Sequence, residues 1–138
     1  MVDRYTVVDD VGTVINPLLA KGQIQGGIAQ GAGQALLEEV VYERDSGQLL
    51  SGTLMDYGLP RADMLLAITI DFSPVPSTTN PLGAKGAGEG GTVASTPAVM
   101  NAILDALASL GITDVPMPAT PERVWRAMRD RAVGADRR

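Results

Sequence analysis

The residues that could do chemistry lie together in Gly83-Ala-Lys-Gly-Ala-Gly-Glu-Gly-Gly91. Glu89 offers a carboxylate and Lys85 an ammonium, with glycines around both. A carboxylate among glycines lets the backbone close around a ligand while one acidic group points at it. The loop runs into an expected helix, whose first N–H groups and positive dipole end could anchor an anionic group. Elsewhere the chemistry is restricted, because the 138 residues include no His and no Cys. Ser-His-Asp and Cys-His arrangements, Cys/His zinc sites, iron–sulfur ligation and disulfides are therefore excluded within the chain. Carboxylates, lysines, hydroxyls, amides and backbone groups remain.

The letters Gly86-Ala-Gly88-Glu-Gly-Gly91 fit G-x-G-x-x-G. A dinucleotide site needs a strand immediately before these glycines and an acidic residue about 20 residues later on a second strand. Here a proline-rich segment precedes them and a helical stretch follows. A phosphate-binding P-loop fails too, since no Lys-Ser or Lys-Thr follows the glycines. Read alone, the loop fits a flexible linker as well as a ligand-binding turn.

The elements that would position the loop can be read around it. Arg4 to Val8 reads as a strand, and Asp9 to Thr13 as a turn. Asn16 as N-cap and Pro17 at the first position start a helix expected to reach about Glu39. That helix contains Gly22, Gly26, Gly27, Gly31 and Gly33. Each interior Gly costs about 0.5–1 kcal/mol relative to Ala, so something must approach the backbone closely. Gln23, Gly27, Gln30 and Gln34 share one face. Ile24, Ile28, Ala32, Ala35 and Leu36 spread over the other, which can face a core. Gln30 and Gln34 read as a polar face against a neighbouring segment rather than as ligands.

A hairpin is expected from Val40 to Leu54 around Asp45-Ser-Gly47, and a strand from Leu65 to Phe72. Ser73 to Pro81, with three prolines, can be neither helix nor central strand. A second helix is expected from Thr92 to Leu110, with an apolar stripe at Val93, Val99, Ile103, Leu107 and Leu110, stopped by Gly111. Thr120 and Pro121 open a third. Residues 129–138 read as a charged tail that frays. The whole is expected to be a single α+β domain.

Composition agrees with a globular chain: 45% hydrophobic and 20% charged, with a net charge of −5. The acidic balance argues against nucleic-acid binding. No signal peptide and no apolar run near the ~20 residues of a membrane span is visible, so a cytoplasmic location without membrane contact is expected.

Several stretches together resemble the C-terminal segment of the molybdopterin-binding large subunit of the xanthine oxidase family of molybdenum hydroxylases. That family includes aldehyde oxidoreductases and aerobic carbon monoxide dehydrogenases. The stretches are Asn16-Pro17, Gly22-Gln-Ile-Gln-Gly-Gly-Ile-Ala-Gln-Gly31 with Ala35-Leu-Leu-Glu-Glu39, Tyr57-Gly-Leu-Pro60, Gly83 to Glu89, Pro97 to Ala102 and Pro118 to Glu122. The resemblance covers about residues 5 to 128, and it implies the fold of the molybdenum-binding domain: a small mixed sheet, a long glycine-rich helix and two further helices. It implies that Glu89 is the catalytic base, lying beside the molybdenum without ligating it. It implies that Gln23 contacts the molybdopterin, with Lys85, Gly86 and Ala87 near the cofactor. No residue is expected to bind metal directly.

The implied cofactor is molybdenum-molybdopterin, in its cytosine dinucleotide form, shared with an upstream segment. The implied partners are an upstream molybdenum-binding chain and subunits carrying 2Fe-2S clusters and FAD. The implied reaction oxidises a small-molecule aldehyde, N-heterocycle or carbon monoxide with water-derived oxygen. Family large subunits are several times longer than this chain, so it is expected to be inactive alone. The rival reading is a non-catalytic remnant or interaction module that keeps the fold without the cofactor.

Overall fold

The computed structural model describes residues 2–65 and 67–135. Its elements are β1 (Tyr5–Asp9), α1 (Pro17–Leu36), β2 (Ile68–Phe72), α2 (Gly90–Ala108) and α3 (Pro121–Ala135), with a single 3-10 turn at Ala62–Met64. The α+β class expected from the sequence is the one found. The sheet is a parallel pair, with Tyr5 opposite Ile68 and Asp9 opposite Phe72. An isolated antiparallel bridge joins Gly12 to Ala84. Alternate residues of both strands are half-buried, as expected where one face of a sheet meets a core.

The chain divides into two compact units. The first holds residues 1–31 and 60–95, and the second holds 32–59 and 96–138.

The first unit contains the sheet, most of α1, the glycine loop and the first turn of α2. Asn16 caps α1 as its residue type predicts, with Oδ1 accepting from the Leu18 and Leu19 amides, each at 3.1 Å. Ile24 and Ile28 are completely buried, and each such side chain contributes about 1.5–3 kcal/mol. The close approach demanded by the glycines of α1 is made by the start of α2. A Cβ on Gly27 would lie 2.9 Å from the Thr92 nitrogen. A Cβ on Gly91 would strike the Ile24 carbonyl oxygen and lie 3.0 Å from the Ile28 nitrogen. Two glycines facing each other thus let the two backbones touch.

The second unit has its own core of Leu107, Ile112, Val115 and Ala119, flanked by Met100, Ile103, Leu104, Val124 and Ala127. Of the apolar stripe expected on α2, Val99 and Leu107 are buried, whereas Val93 and Leu110 are exposed. Gly111 adopts a left-handed φ of 69° and ends the helix, as expected. The expected hairpin is reduced to a Tyr42–Leu49 bridge, with the turn ordered by Glu43, whose carboxylate accepts from Ser46. Tyr57 donates to Glu38 at 2.6 Å, and Arg123 pairs with Glu39. Thr120 caps α3, its Oγ1 accepting from the Arg123 amide at 3.3 Å. Residues 129–135, expected to fray, are helical, and 136–138 lie outside the described residues.

Gly91→Ala is expected to destabilise the chain by about 1–3 kcal/mol through overpacking. Gly22 is in the same helix as Gly27, and a Cβ there meets nothing within 4 Å. Gly22→Ala should therefore stabilise the chain by about 0.5–1 kcal/mol. Urea unfolding of both variants checks the contrast.

Candidate functional site

The glycine loop is held at both ends by the first unit. At its start, the Thr13 amide and the Ser77 amide both donate to the Gly83 carbonyl, each at 2.9 Å. The Lys85 amide donates to the Val11 carbonyl at 2.9 Å. Asn80 closes a ring with Ala84, its Nδ2 donating to the Ala84 carbonyl at 3.0 Å and its Oδ1 accepting from the Ala84 amide at 3.2 Å. At the far end, Thr92 Oγ1 donates to the Gly27 carbonyl at 3.1 Å and to Gln30 Oε1 at 3.2 Å. Gln30 thus meets a neighbouring segment, as its place on the polar helix face suggested.

Two side chains tie the loop between these ends. Gln23 on α1 donates from Nε2 to the Gly88 carbonyl at 2.8 Å, leaving its Oε1 and second N–H for another partner. Lys85 is paired through Nζ with Asp10 Oδ2 at 2.5 Å. Asp10 Oδ1 also accepts from the Gly12 and Val75 amides, each at 2.9 Å. The Lys85 hydrogen bond, followed by the two backbone donors, holds the Asp10 carboxyl down at about 2. A linker reading does not fit a loop with this many fixed partners.

Glu89 is the residue before α2, and its carbonyl accepts the first helical bond from the Val93 amide at 3.0 Å. It is exposed, as are Gln23, Lys85 and Gly86, while Ala87 is half-buried. Glu89 thus stands immediately before the first turn of α2. Next to this turn, Asp9 has one carboxylate oxygen buried with no hydrogen-bond partner among the described residues. A Cβ on Gly90 would lie 4.0 Å from the other Asp9 oxygen.

Gln23, Lys85, Ala87 and Gly88 line one cleft of about 440 Å³, together with Val11, Thr13, Asn16 and Leu19 among others. The structure thus brings Gln23, Lys85 and Ala87 to one surface, with Glu89 next in chain to Gly88. Asp10 was missed by the sequence reading, which took Asp9 to Thr13 only as a turn. The available signal was an Asp two residues before a Gly, a pattern that favours side-chain bonding to the local backbone. Its pairing with a lysine 75 positions away had no local signal. No group of three Asp, Glu, Cys or His side chains that could hold a metal exists among the described residues. No helix among them is long and apolar enough to cross a membrane.

Residues 1–65 match the molybdopterin cofactor-binding domain. The carbon monoxide dehydrogenase large chain of Hydrogenophaga pseudoflava is 40% identical over 129 residues, covering 94% of this chain and 16% of that one. The chain belongs to the molybdenum-binding large-subunit family of the molybdenum hydroxylases. The nicotine 6-hydroxylase large subunit of Paenarthrobacter nicotinovorans is 38% identical, covering 93% of this chain and 16% of that one. Quinoline 2-oxidoreductase from Pseudomonas putida 86 superposes with a TM-score of 0.86 at 46% identity, over 91% of this chain and 16% of that chain. This family member therefore spans about 16% of the length of each of these relatives.

The Asp10 carboxyl is bound more tightly to its partners when ionised, and its ordinary value of 3.8 falls to about 2 in the folded chain. A lowered carboxyl stabilises the fold above its unfolded value, and that stability is lost as pH falls through the folded value. Acid unfolding of the wild-type chain should therefore steepen between pH 3.8 and about 2, and Asp10→Asn should flatten that window. Unfolding curves collected across it, in wild type and variant, make the comparison.

Proposed function

We propose that this chain supplies one wall of a molybdenum hydroxylase active site, with Glu89 as its proton acceptor. The observation that carries the reading is the fixed turn at Gly88–Glu89. It is tied to α1 through Gln23 and ends in α2, so the carboxylate is presented from an ordered backbone. A general base must be held within hydrogen-bond reach of the proton it takes, and a rigid mount supplies that.

The residues present fit the pterin part of such a cofactor. The cleft beside Gln23 offers an unspent amide oxygen, and a Cβ on Gly86 or Gly88 would meet nothing within 4 Å, so the loop surface is open to a flat ring. An amide can donate to and accept from a heterocycle without adding charge. Gln23 would hold the molybdopterin, with Gly86 and Ala87 alongside it and Lys85 nearby. The cofactor, in its cytosine dinucleotide form, would supply the two-electron oxidation. This chain's residues would do the rest: Gln23 orients, the loop excludes water on one side, and Glu89 Oε1 or Oε2 takes the proton of the attacking water-derived oxygen.

Within the family's range, the substrate would be an aldehyde, an N-heterocycle or carbon monoxide. The chain would work as the C-terminal part of a molybdopterin-binding subunit in the cytoplasm, beside iron–sulfur and flavin subunits that remove the electrons. The large exposed side chains Ile15, Leu18 and Leu19 on and before α1 favour such a role over an independent remnant, since an apolar patch of this kind marks an interaction surface.

In the assembled enzyme, Glu89→Gln should lower turnover by about 10²–10⁴-fold with molybdenum content unchanged. Turnover at the wild-type rate would reject Glu89 as the base. The purified chain without its partners should hold no molybdenum, and stoichiometric metal by elemental analysis would sink the shared-site reading.

A further inference from the structure

We infer that Asp10 is a positioning residue for Glu89, acting through Lys85. Asp10 follows β1, and its carboxylate joins three segments that are distant in sequence. It accepts from Gly12 in its own turn, from Val75 in the proline-rich segment and from Lys85 in the glycine loop. The Lys85 backbone is already fixed by its amide bond to Val11. Both backbone and side chain of Lys85 are held against the turn after β1, and the next anchored point is Gly88, on Gln23. Only Gly86 and Ala87 lie between these anchors. The position of Glu89 is therefore set by a short span pinned at Lys85 and at Gly88.

The ion pair is suited to this task. Its two side chains are about one-third exposed, at 36% and 35%, so water screens it in part but does not dissolve it. A hydrogen bond between charged groups is also shorter and more directional than a neutral one. On this basis the Lys85 ammonium is occupied by Asp10, and its part near the cofactor is to hold the loop rather than to bind the ligand by charge.

The catalytic half of this inference rests on Glu89 being the base, and the structural half does not. Amide hydrogen exchange on the full chain tests the structural half. Asp10→Asn and Lys85→Met should each raise exchange at Ala84 to Gly88 by about tenfold, with α3 amides unchanged. The double variant should be no worse than Asp10→Asn alone. Lys85→Met keeps both backbone hydrogen bonds of Asp10, so it guards against a variant that fails to fold. Exchange within twofold of wild type in both single variants, or effects that simply add, would overturn the pairing (the twofold limit is about the spread expected of unrelated surface changes). In the assembled enzyme, Asp10→Asn should lower kcat with KM and molybdenum content unchanged, and Asp10→Glu should recover part of the loss. If the loop loosens but kcat holds while Glu89→Gln is inactive, the positioning role is wrong. If Glu89→Gln is itself active, the base assignment falls, and Asp10's hold on the loop is judged by exchange alone.

Discussion

Backbone-to-backbone contact between the start of α2 and the middle of α1 is the constraint on which the rest of the first unit depends. Gly91 lies so close to Ile24 and Ile28 that no side chain fits between, and Gly27 faces Thr92 in the same way. This contact fixes where α2 begins, hence where Glu89 sits as the residue before it. It also brings Gln23, one turn along α1 from Gly27, within reach of the Gly88 carbonyl. Packing thus accounts for Gly27 in α1, whereas Gly22 and Gly26 face no neighbour and packing does not require glycine there.

Charge acts at the other end of the loop. Asp10 gathers one ammonium and two backbone amides, and the depressed proton affinity of its carboxyl is the signature of that crowd of donors. Steric contact at Gly91 and polar contact at Lys85 are independent in kind. One is insensitive to salt and pH, whereas the other weakens in acid and at high ionic strength. The loop between them is short enough that neither end can drift without moving Glu89.

Much of this was legible in the sequence because it is written locally. Asn16-Pro17 and Thr120-Pro121 mark helix starts within a residue, and Gly111 marks a stop. The Thr, Val and Tyr content of β1 and the three prolines of the segment after β2 mark the type of those elements. The two units leave no local mark in the sequence, since α1 and α2 each run past a unit boundary without a break in their pattern. Val93 and Leu110 were placed in an apolar stripe, yet both are exposed, since periodicity cannot say which positions the core reaches. The Glu89 loop could be found from its letters. Its mounting could not, because Asp10 with Lys85 and Gln23 with Gly88 are pairs 75 and 65 positions apart. Past Arg129, where charge suggested fraying, α3 runs on to Ala135.

The exposed Glu89 on its ordered mount has a consequence for the cost of closing a site over it. A disordered catalytic loop would have to give up backbone freedom at the moment of association, at roughly 1–2 kcal/mol for each residue frozen. Here residues 83–85 and 88–92 have already made that sacrifice during folding, through bonds internal to the first unit. A surface that meets this face encounters a finished shape. Association then resembles the docking of two rigid bodies, with its rate governed by collision and orientation rather than by loop rearrangement.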